Sequence, residues 1–267
     1  MPLFHLLLIA VIQGATEFLP VSSSGHLILL PQMTGMDDQG IALDVAVHVG
    51  TLFAVVLYFW SDVKEALVGS GRLIRGKVDT QGAWLALCLL IATVPVIIVG
   101  LVMKLLGIDE MLRSMAVIGW TMLVFGVVLY WADQVSPETR EAKEWSLKHA
   151  TIMGLWQALA LIPGTSRSGI TMTGGRFLGY TREEAARLSM LMSIPTIAAS
   201  GFLLSFDVVG LSDWALARDA AIAAGFSFVA ALIALVLMMH FLKTVSFTPY
   251  VIYRVVLGVI LLWIAYT

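Results

Sequence analysis

The sequence predicts an all-α polytopic membrane protein, with six transmembrane helices and two re-entrant helical hairpins arranged as an inverted-topology repeat. Three observations lead there. First, the chain of 267 residues is 59% hydrophobic and 13% charged, with a mean hydropathy of +0.92; a soluble domain carries about 25% charged residues. Second, the apolar residues gather in continuous runs of about 20 rather than alternating, which favours spanning helices over a β-barrel or a soluble bundle. Third, one polar pattern interrupts the apolar chain twice. Gln13-Gly14-Ala15-Thr16-Glu17-Phe18-Leu19-Pro20-Val21-Ser22-Ser23-Ser24-Gly25-His26 and Gln157-Ala158-Leu159-Ala160-Leu161-Ile162-Pro163-Gly164-Thr165-Ser166-Arg167-Ser168-Gly169 both read Gln, apolar turn, Pro, Ser cluster, Gly.

In chain order, residues 3–19 are apolar up to Pro20, and a short piece, 22–33, follows. At 1.5 Å per residue such a piece reaches only about 20 Å, too short to cross a hydrocarbon core of about 30 Å. The two pieces read as a re-entrant hairpin over 3–33. Runs at 41–60, 82–106 and 112–131 are long enough to span, and 62–76 reads as a short segment on the inner membrane surface. The charged stretch 132–147 is a linker. Then 148–162, broken by Pro163-Gly164, and the short 166–178 form a second hairpin over 148–178. Spans at 183–205, 215–242 and 249–266 complete the chain. Broken backbone at membrane depth is tolerated only where protein or a wet cavity surrounds it.

The whole of 1–267 is thus one membrane domain of two repeats, 1–131 and 148–267. Gly25 and Gly169 stand 144 apart, and Gly50-Thr51-Leu52 matches Pro195-Thr196-Ile197 at an offset of 145. Three spans per half is odd, so the second half enters the membrane from the opposite side. Inverted repeats place their sites near the midplane, between the halves. Lys64, Arg72, Arg75 and Lys77 in the loop 61–81 mark the inner side. Arg140, Lys143, Lys148, Arg182 and Lys243 fall on that same side, against Arg113 and Arg218 on the other. Both termini then lie outside. Residues 3–12 have the apolar length of a signal peptide. No Lys or Arg precedes them and no small-residue cleavage site follows, so they are read as part of the mature protein. The single Cys88 rules out an intrachain disulfide, and no basic stripe suggests nucleic acid.

Glu17 is the first residue that carries chemistry, because an ionisable group in an apolar helix is costly unless paired or wet. Gln13 and Glu17 are i, i+4 and share a helix face. Two oxygens there, with phosphate oxygens and waters, suit Mg²⁺ or Ca²⁺; the simpler reading is a hydrogen bond that ties the hairpin down. After Pro20, the serines Ser22, Ser23 and Ser24 start a half-helix whose free N–H groups make an anion site. Ser23 and His26, i, i+3, have the spacing of a nucleophile and a base; the alternative is a capping cluster beside a core histidine. In the second motif Gly164, Thr165, Ser166, Ser168 and Gly169 surround Arg167 with small donors, a phosphate-binding constellation without a Walker lysine. Here the alternative is an arginine snorkelling to the interface. Asp44 and His48, i, i+4, could pair behind the site, and Arg176, Arg187 and Arg254 read as structural.

These motifs resemble the undecaprenyl-diphosphate phosphatase family, the integral-membrane type linked to bacitracin resistance. The family's Glu/Gln-x-x-x-Glu pattern falls on Gln13 and Glu17. Its Pro-Val-Ser-Ser-x-Gly-His stretch falls on Pro20 to His26, and its Pro-Gly-x-Ser-Arg-Ser-Gly stretch on Pro163 to Gly169. The likeness covers nearly the whole chain. Many relatives have Glu where this chain has Gln13, and a neutral amide binds a divalent cation more weakly. The resemblance implies hydrolysis of undecaprenyl diphosphate to the monophosphate and inorganic phosphate, helped by Mg²⁺ or Ca²⁺. It implies a bacterial inner membrane with membrane lipids as neighbours and a role in bacitracin resistance; the charge-based topology, with cell-wall work outside, favours a site opening outward. On this view Glu17 and Gln13 hold the cation, Arg167 steadies the phosphoryl group, and Ser23 attacks with His26 as base. His26 as nucleophile and a metal-activated water are the other options. A transporter or flippase of a phosphorylated lipid would need the same anion site but no nucleophile. The sequence leaves room for a homodimer.

Overall fold

The structure, a computed structural model, describes residues 3–34, 40–112, 114–208 and 214–267; of residues 31–34, 109, 110 and 203–208 only the backbone is described. Arg113, counted above among the outer charges, lies outside the described residues. Twelve α-helices follow one another among the described residues: α1 (Leu3–Glu17), α2 (Ser23–Thr34), α3 (Ile41–Tyr58), α4 (Trp60–Leu73), α5 (Gln81–Leu106), α6 (Ile108–Met111), α7 (Met115–Val135), α8 (Leu147–Ala158), α9 (Arg167–Phe177), α10 (Arg182–Val208), α11 (Trp214–Phe241) and α12 (Thr248–Tyr266). The only extended pairing described is an isolated bridge between Arg140 and Tyr180.

Local sequence explains several of the helix ends. The Thr80 and Ser114 hydroxyls cap α5 and α7 by accepting from the N–H groups of Ala83 and Val117. Ser146 caps α8 by accepting from His149. Gly107 stops α5 in the left-handed region, φ 65°, and Pro249 occupies the first turn of α12.

Among the described residues five helices are long and apolar enough to cross a membrane: α3, α5, α7, α11 and α12. The chain is therefore a multi-pass membrane protein. The sixth expected span, α10, has the length, 27 residues, but carries Arg182, Glu183, Glu184 and Arg187 in its first two turns. Its described part does not reach the same apolar standard. Large apolar side chains such as Phe53, Leu57, Leu101, Ile233 and Trp263 face outward, each more than half exposed, as lipid-facing residues do.

Two boundaries differ from the sequence reading. The run 41–60 ends at Tyr58, where Phe59 turns the chain into α4. The amphipathic α4 buries Val63, Ala66 and Gly69 and packs on α5. The third span runs on to Val135, through Asp133, where hydropathy suggested it would stop. Asp133 is buried because Arg176 (3.3 Å), Arg182 (2.7 Å) and the N–H of Phe247 (3.1 Å) meet its carboxylate.

Helices of the two halves interleave. α1 and α3 pack on α11, α8 packs on α5, and α10 packs on α3 and α9. The first contact is close: a Cβ on Gly14 would sit 2.5 Å from the carbonyl oxygen of Ser227. Phe18, next to Glu17, is wholly buried in the central apolar cluster with Met172, Met190 and Leu235. That packing anchors the end of α1 where the first break begins.

Candidate active site

Both polar motifs adopt a helix–break–helix form. α1 ends at Glu17 and α2 starts at Ser23; α8 runs through a 3-10 turn, Leu159–Leu161, to a break before α9 at Arg167. Ser22 and Ser166 each sit one residue before the following helix, and both have φ 70°. A non-glycine residue is seldom held in that region unless its surroundings impose it. Each is hydroxyl-to-hydroxyl, 3.2 Å, with the serine two residues on: Ser22 with Ser24, Ser166 with Ser168. Ser166 Oγ also accepts from the N–H of Gly169 at 3.1 Å.

The two breaks touch. Ser168 Oγ donates to the carbonyl of Leu19 at 2.9 Å, and Thr121 Oγ1 donates to that of Pro163 at 2.6 Å. Gly164, at φ 86°, lies so close to Thr121 and Ile118 that a Cβ would overlap both. Arg254, wholly buried on α12, spans the two turns. Its guanidinium donates to Thr165 O (2.9 Å) and Gly164 O (3.2 Å), and at longer range to Pro20 O (3.5 Å).

Where the breaks meet there is a cavity of about 280 Å³. Glu17, Ser22, Ser23, Ser24 and Arg167 line it, with Ser166 and Gln157 beside them. Arg167 Nη2 donates to Glu17 Oε1 at 3.0 Å, and its Nη1 reaches Ser189 O at 3.3 Å. Ser23 Oγ and Gln13 Nε2 both donate to Glu17 Oε2, at 2.9 and 2.8 Å. Glu17, Ser23 and Arg167, from both motifs, thus meet at one point.

The remaining expected residues fall differently. Gln13 is fully buried and touches Glu17, but does not line the cavity. Gly164 and Thr165 form the turn before Arg167, and Ser168 and Gly169 the first turn of α9, rather than the cavity wall. His26 is not on the wall and does not meet Ser23. Its Nδ1 is 2.7 Å from Ser22 O, its Nε2 is 2.5 Å from the Tyr253 hydroxyl, and the two rings stack at 5.6 Å. In the neutral ring Nδ1 donates to the carbonyl, so Nε2 accepts from Tyr253. The expected Ser23–His26 contact is replaced by Ser23–Glu17.

The imidazole that does line the cavity is His48. Its Nε2 lies 3.9 Å from Glu17 Oε2, and its Nδ1 lies 2.7 Å from the backbone oxygen of Asp44. The sequence signal for it was the i, i+4 spacing from Asp44. Arg254 was signalled only by its charge within an apolar span, and Tyr253 by nothing local.

As arranged, Gln13 and Glu17 do not make a preformed cation site. The amide turns its N–H toward the carboxylate, and Gln13 Oε1 is buried without a partner. Both Glu17 oxygens already accept, one of them from a guanidinium. Among the described residues no group of three or more His, Cys, Asp and Glu could hold a metal ion.

A protein-family model described as bacitracin resistance protein BacA matches residues 6–260. A protein of Dinoroseobacter shibae named undecaprenyl-diphosphatase is 73% identical over 267 residues, all of both chains. Proteins of the same name from Roseobacter denitrificans and Alteromonas mediterranea are 68% and 43% identical, again across the whole of each chain.

Proposed function

The chain belongs to the bacitracin resistance protein BacA family, and from that premise we infer that it is an undecaprenyl-diphosphatase. It hydrolyses undecaprenyl diphosphate to the monophosphate and inorganic phosphate, as its full-length relatives are named for doing. The recycled carrier serves cell-wall synthesis, and bacitracin resistance follows from the family. The observation that carries the reading at atomic level is the meeting of Glu17, Ser23 and Arg167 in one cavity.

In the mechanism this geometry supports, the Ser23 hydroxyl attacks the terminal phosphorus. Its proton passes to Glu17 Oε2, 2.9 Å away, and from there to the departing oxygen of undecaprenyl phosphate, which leaves with Glu17 ionised again. Arg167, with the Ser22, Ser24 and Ser166 hydroxyls and the half-helix N–H groups, stabilises the charge on the transferring phosphoryl group. Gly164, Thr165, Ser168 and Gly169 act behind them by shaping the turn that presents Arg167. Water then cleaves the phosphoserine and phosphate departs. Charge on the diphosphate would compete with Glu17 for Arg167, so substrate binding loosens the resting ion pair and frees the carboxylate. His26 supports the first turn, and Gln13 orients Glu17 through the hydrogen bond its side-chain amide donates. Assistance by Mg²⁺ or Ca²⁺ remains the family expectation; Gln13 and Glu17 in their resting contact do not supply it, and no step above depends on it.

The membrane arrangement belongs to the same proposal. The halves 1–131 and 148–267 are inverted repeats joined by 132–147, and the hairpins 3–33 and 148–178 dip in from opposite faces. The matched Ser22 and Ser166 backbones and the interleaved packing of the halves support this. The basic loop 61–81 lies on the cytoplasmic side of the bacterial inner membrane, with termini and cavity opening on the outer side.

The test is phosphate release by purified protein in detergent from C55 and C15 prenyl diphosphates. Glu17→Gln and Ser23→Ala are each expected to lose at least about 10²-fold in kcat. Near-native turnover by Ser23→Ala, with no phosphorylated residue trapped, would remove serine as nucleophile. Outside labelling of cysteines placed in 61–81 would overturn the orientation.

A further inference from the structure

His48 is the imidazole on the cavity wall, and it takes no part in the first half-reaction. Its side chain keeps 38% of its surface open, so water can reach it. Nδ1 lies 2.7 Å from the backbone oxygen of Asp44, which can only accept. In the neutral ring the proton therefore sits on Nδ1, and Nε2 carries a lone pair. Nε2 lies 3.9 Å from Glu17 Oε2, the oxygen that takes the Ser23 proton. Two acceptors at that separation make no bond to each other.

The first half-reaction opens a place between them. At rest Glu17 Oε2 accepts from Ser23 Oγ at 2.9 Å and from Gln13 Nε2 at 2.8 Å. Once Ser23 carries the phosphoryl group, its oxygen has no proton to donate. Glu17 is then ionised, having passed its proton to the departing lipid, and Oε2 has lost one of its two donors. A water about 2.8 Å from both Oε2 and His48 Nε2 spans their 3.9 Å with an angle of about 90° at its oxygen. That is near the angle between its own two O–H bonds, so each hydrogen bond bends only slightly. Such a water lies at most about 5.7 Å from Ser23 Oγ. In-line attack needs about 5 Å there, an approach of about 3–3.5 Å to phosphorus plus the bond that breaks. The separations therefore suit a water that attacks.

We propose that His48 Nε2, together with Glu17 Oε2, holds and orients the water that hydrolyses the phosphoserine. This rests on the reading of Ser23 as nucleophile. The water donates one proton to each acceptor, which turns a lone pair of its oxygen toward phosphorus. That oxygen forms a bond to phosphorus while the bond from phosphorus to Ser23 Oγ breaks. The proton facing Glu17 passes to Oε2 and from there to the departing Ser23 oxygen, which leaves Glu17 ionised. The other proton stays on the oxygen that is now part of phosphate; His48 accepts a hydrogen bond from it and takes no proton. Phosphoserine and water give serine and phosphate. His48 acts only after undecaprenyl phosphate has left, so it governs the second half-reaction alone.

The experiment is rapid acid quench of the full-length protein in detergent with C15 prenyl diphosphate labelled in its terminal phosphate. Native protein is compared with His48→Asn, His48→Met and His48→Gln. Asn carries an N–H placed like Nδ1, so the bond to Asp44 O survives, and it offers nothing where Nε2 stood. For His48→Asn we expect about a tenfold to hundredfold fall in kcat, kcat/KM within about threefold of native, and covalently bound label well above the native level. His48→Met, without a good acceptor, is expected to behave alike and decides the matter should the Asn variant not fold. His48→Gln can set an amide oxygen in the place of Nε2 and is expected to hold bound label near the native level. Three results would overturn the proposal. A fall in kcat/KM without accumulation in His48→Asn and His48→Met would place His48 in substrate binding or the first half-reaction, and leave Ser23 as nucleophile. Equal accumulation in His48→Gln and His48→Asn would show that the loss does not follow the acceptor. No covalent label in any of the proteins would fell the serine reading and the water role with it.

Discussion

Replacing His26 by Asn separates two roles for the one histidine in the first motif. In the structure His26 Nδ1 donates to Ser22 O at 2.7 Å, and Nε2 accepts from Tyr253 at 2.5 Å. Both nitrogens are engaged, and the ring lies off the cavity wall. Asn at 26 carries an N–H placed like Nδ1, so the bond to Ser22 survives and only the Tyr253 bond is lost. One neutral hydrogen bond contributes about 0.5–1.5 kcal/mol. If all of that fell on the transition state, kcat/KM would drop about 2- to 13-fold. Removing a general base would instead cost about 10²–10⁴-fold. The assay is phosphate release from a C15 prenyl diphosphate over a range of pH. We expect His26→Asn to stay within the smaller range with its pH profile unchanged in shape, and His26→Phe, which abandons Ser22 O, to lose more. A loss beyond 10²-fold in His26→Asn, with one limb of the profile gone, would refute the reasoning and restore His26 as the base.

Gly164→Ala is expected to lower kcat/KM at least about tenfold. The φ of 86° alone costs a side chain about 1–2 kcal/mol, and the new methyl overlaps Thr121 and Ile118; native activity and thermal stability would refute the close fit. Asp133→Asn leaves Arg176 and Arg182 short of their buried counter-charge. It should cost about 3–5 kcal/mol of stability, read as a lower unfolding temperature in detergent, and an unchanged melt would show the cluster is not buried as described. Calorimetric titration of substrate-free protein with Mg²⁺ or Ca²⁺ should give no tight saturable binding, because Gln13 presents its N–H to Glu17 and Arg167 occupies the carboxylate; a saturating site would contradict that arrangement.

Much of this protein is readable from local sequence. Run length and composition set the helices and their membrane setting, since burying apolar residues in lipid depends on each segment by itself. The Pro20 and Pro163-Gly164 breaks end helices through their own backbone restrictions, and both appear where the sequence put them. The low charge content likewise made Glu17 and Arg167 conspicuous. What lay beyond reach was every relation between segments distant in the chain. Glu17 and Arg167 pair across 150 residues. Asp133 looked like the end of a span because its neutralising partners, Arg176 and Arg182, come from other helices. Ser23 and His26 have the spacing of neighbours on a helix, yet Ser23 is the first residue of α2 and reaches back across the break to Glu17, while His26 turns to Tyr253 on α12. His48 and Gln157 gained places on the cavity wall only when α3 and α8 packed around it. Helical period and hydropathy operate within one element. Which donor meets which acceptor depends on how elements pack, and only the tertiary structure determined that.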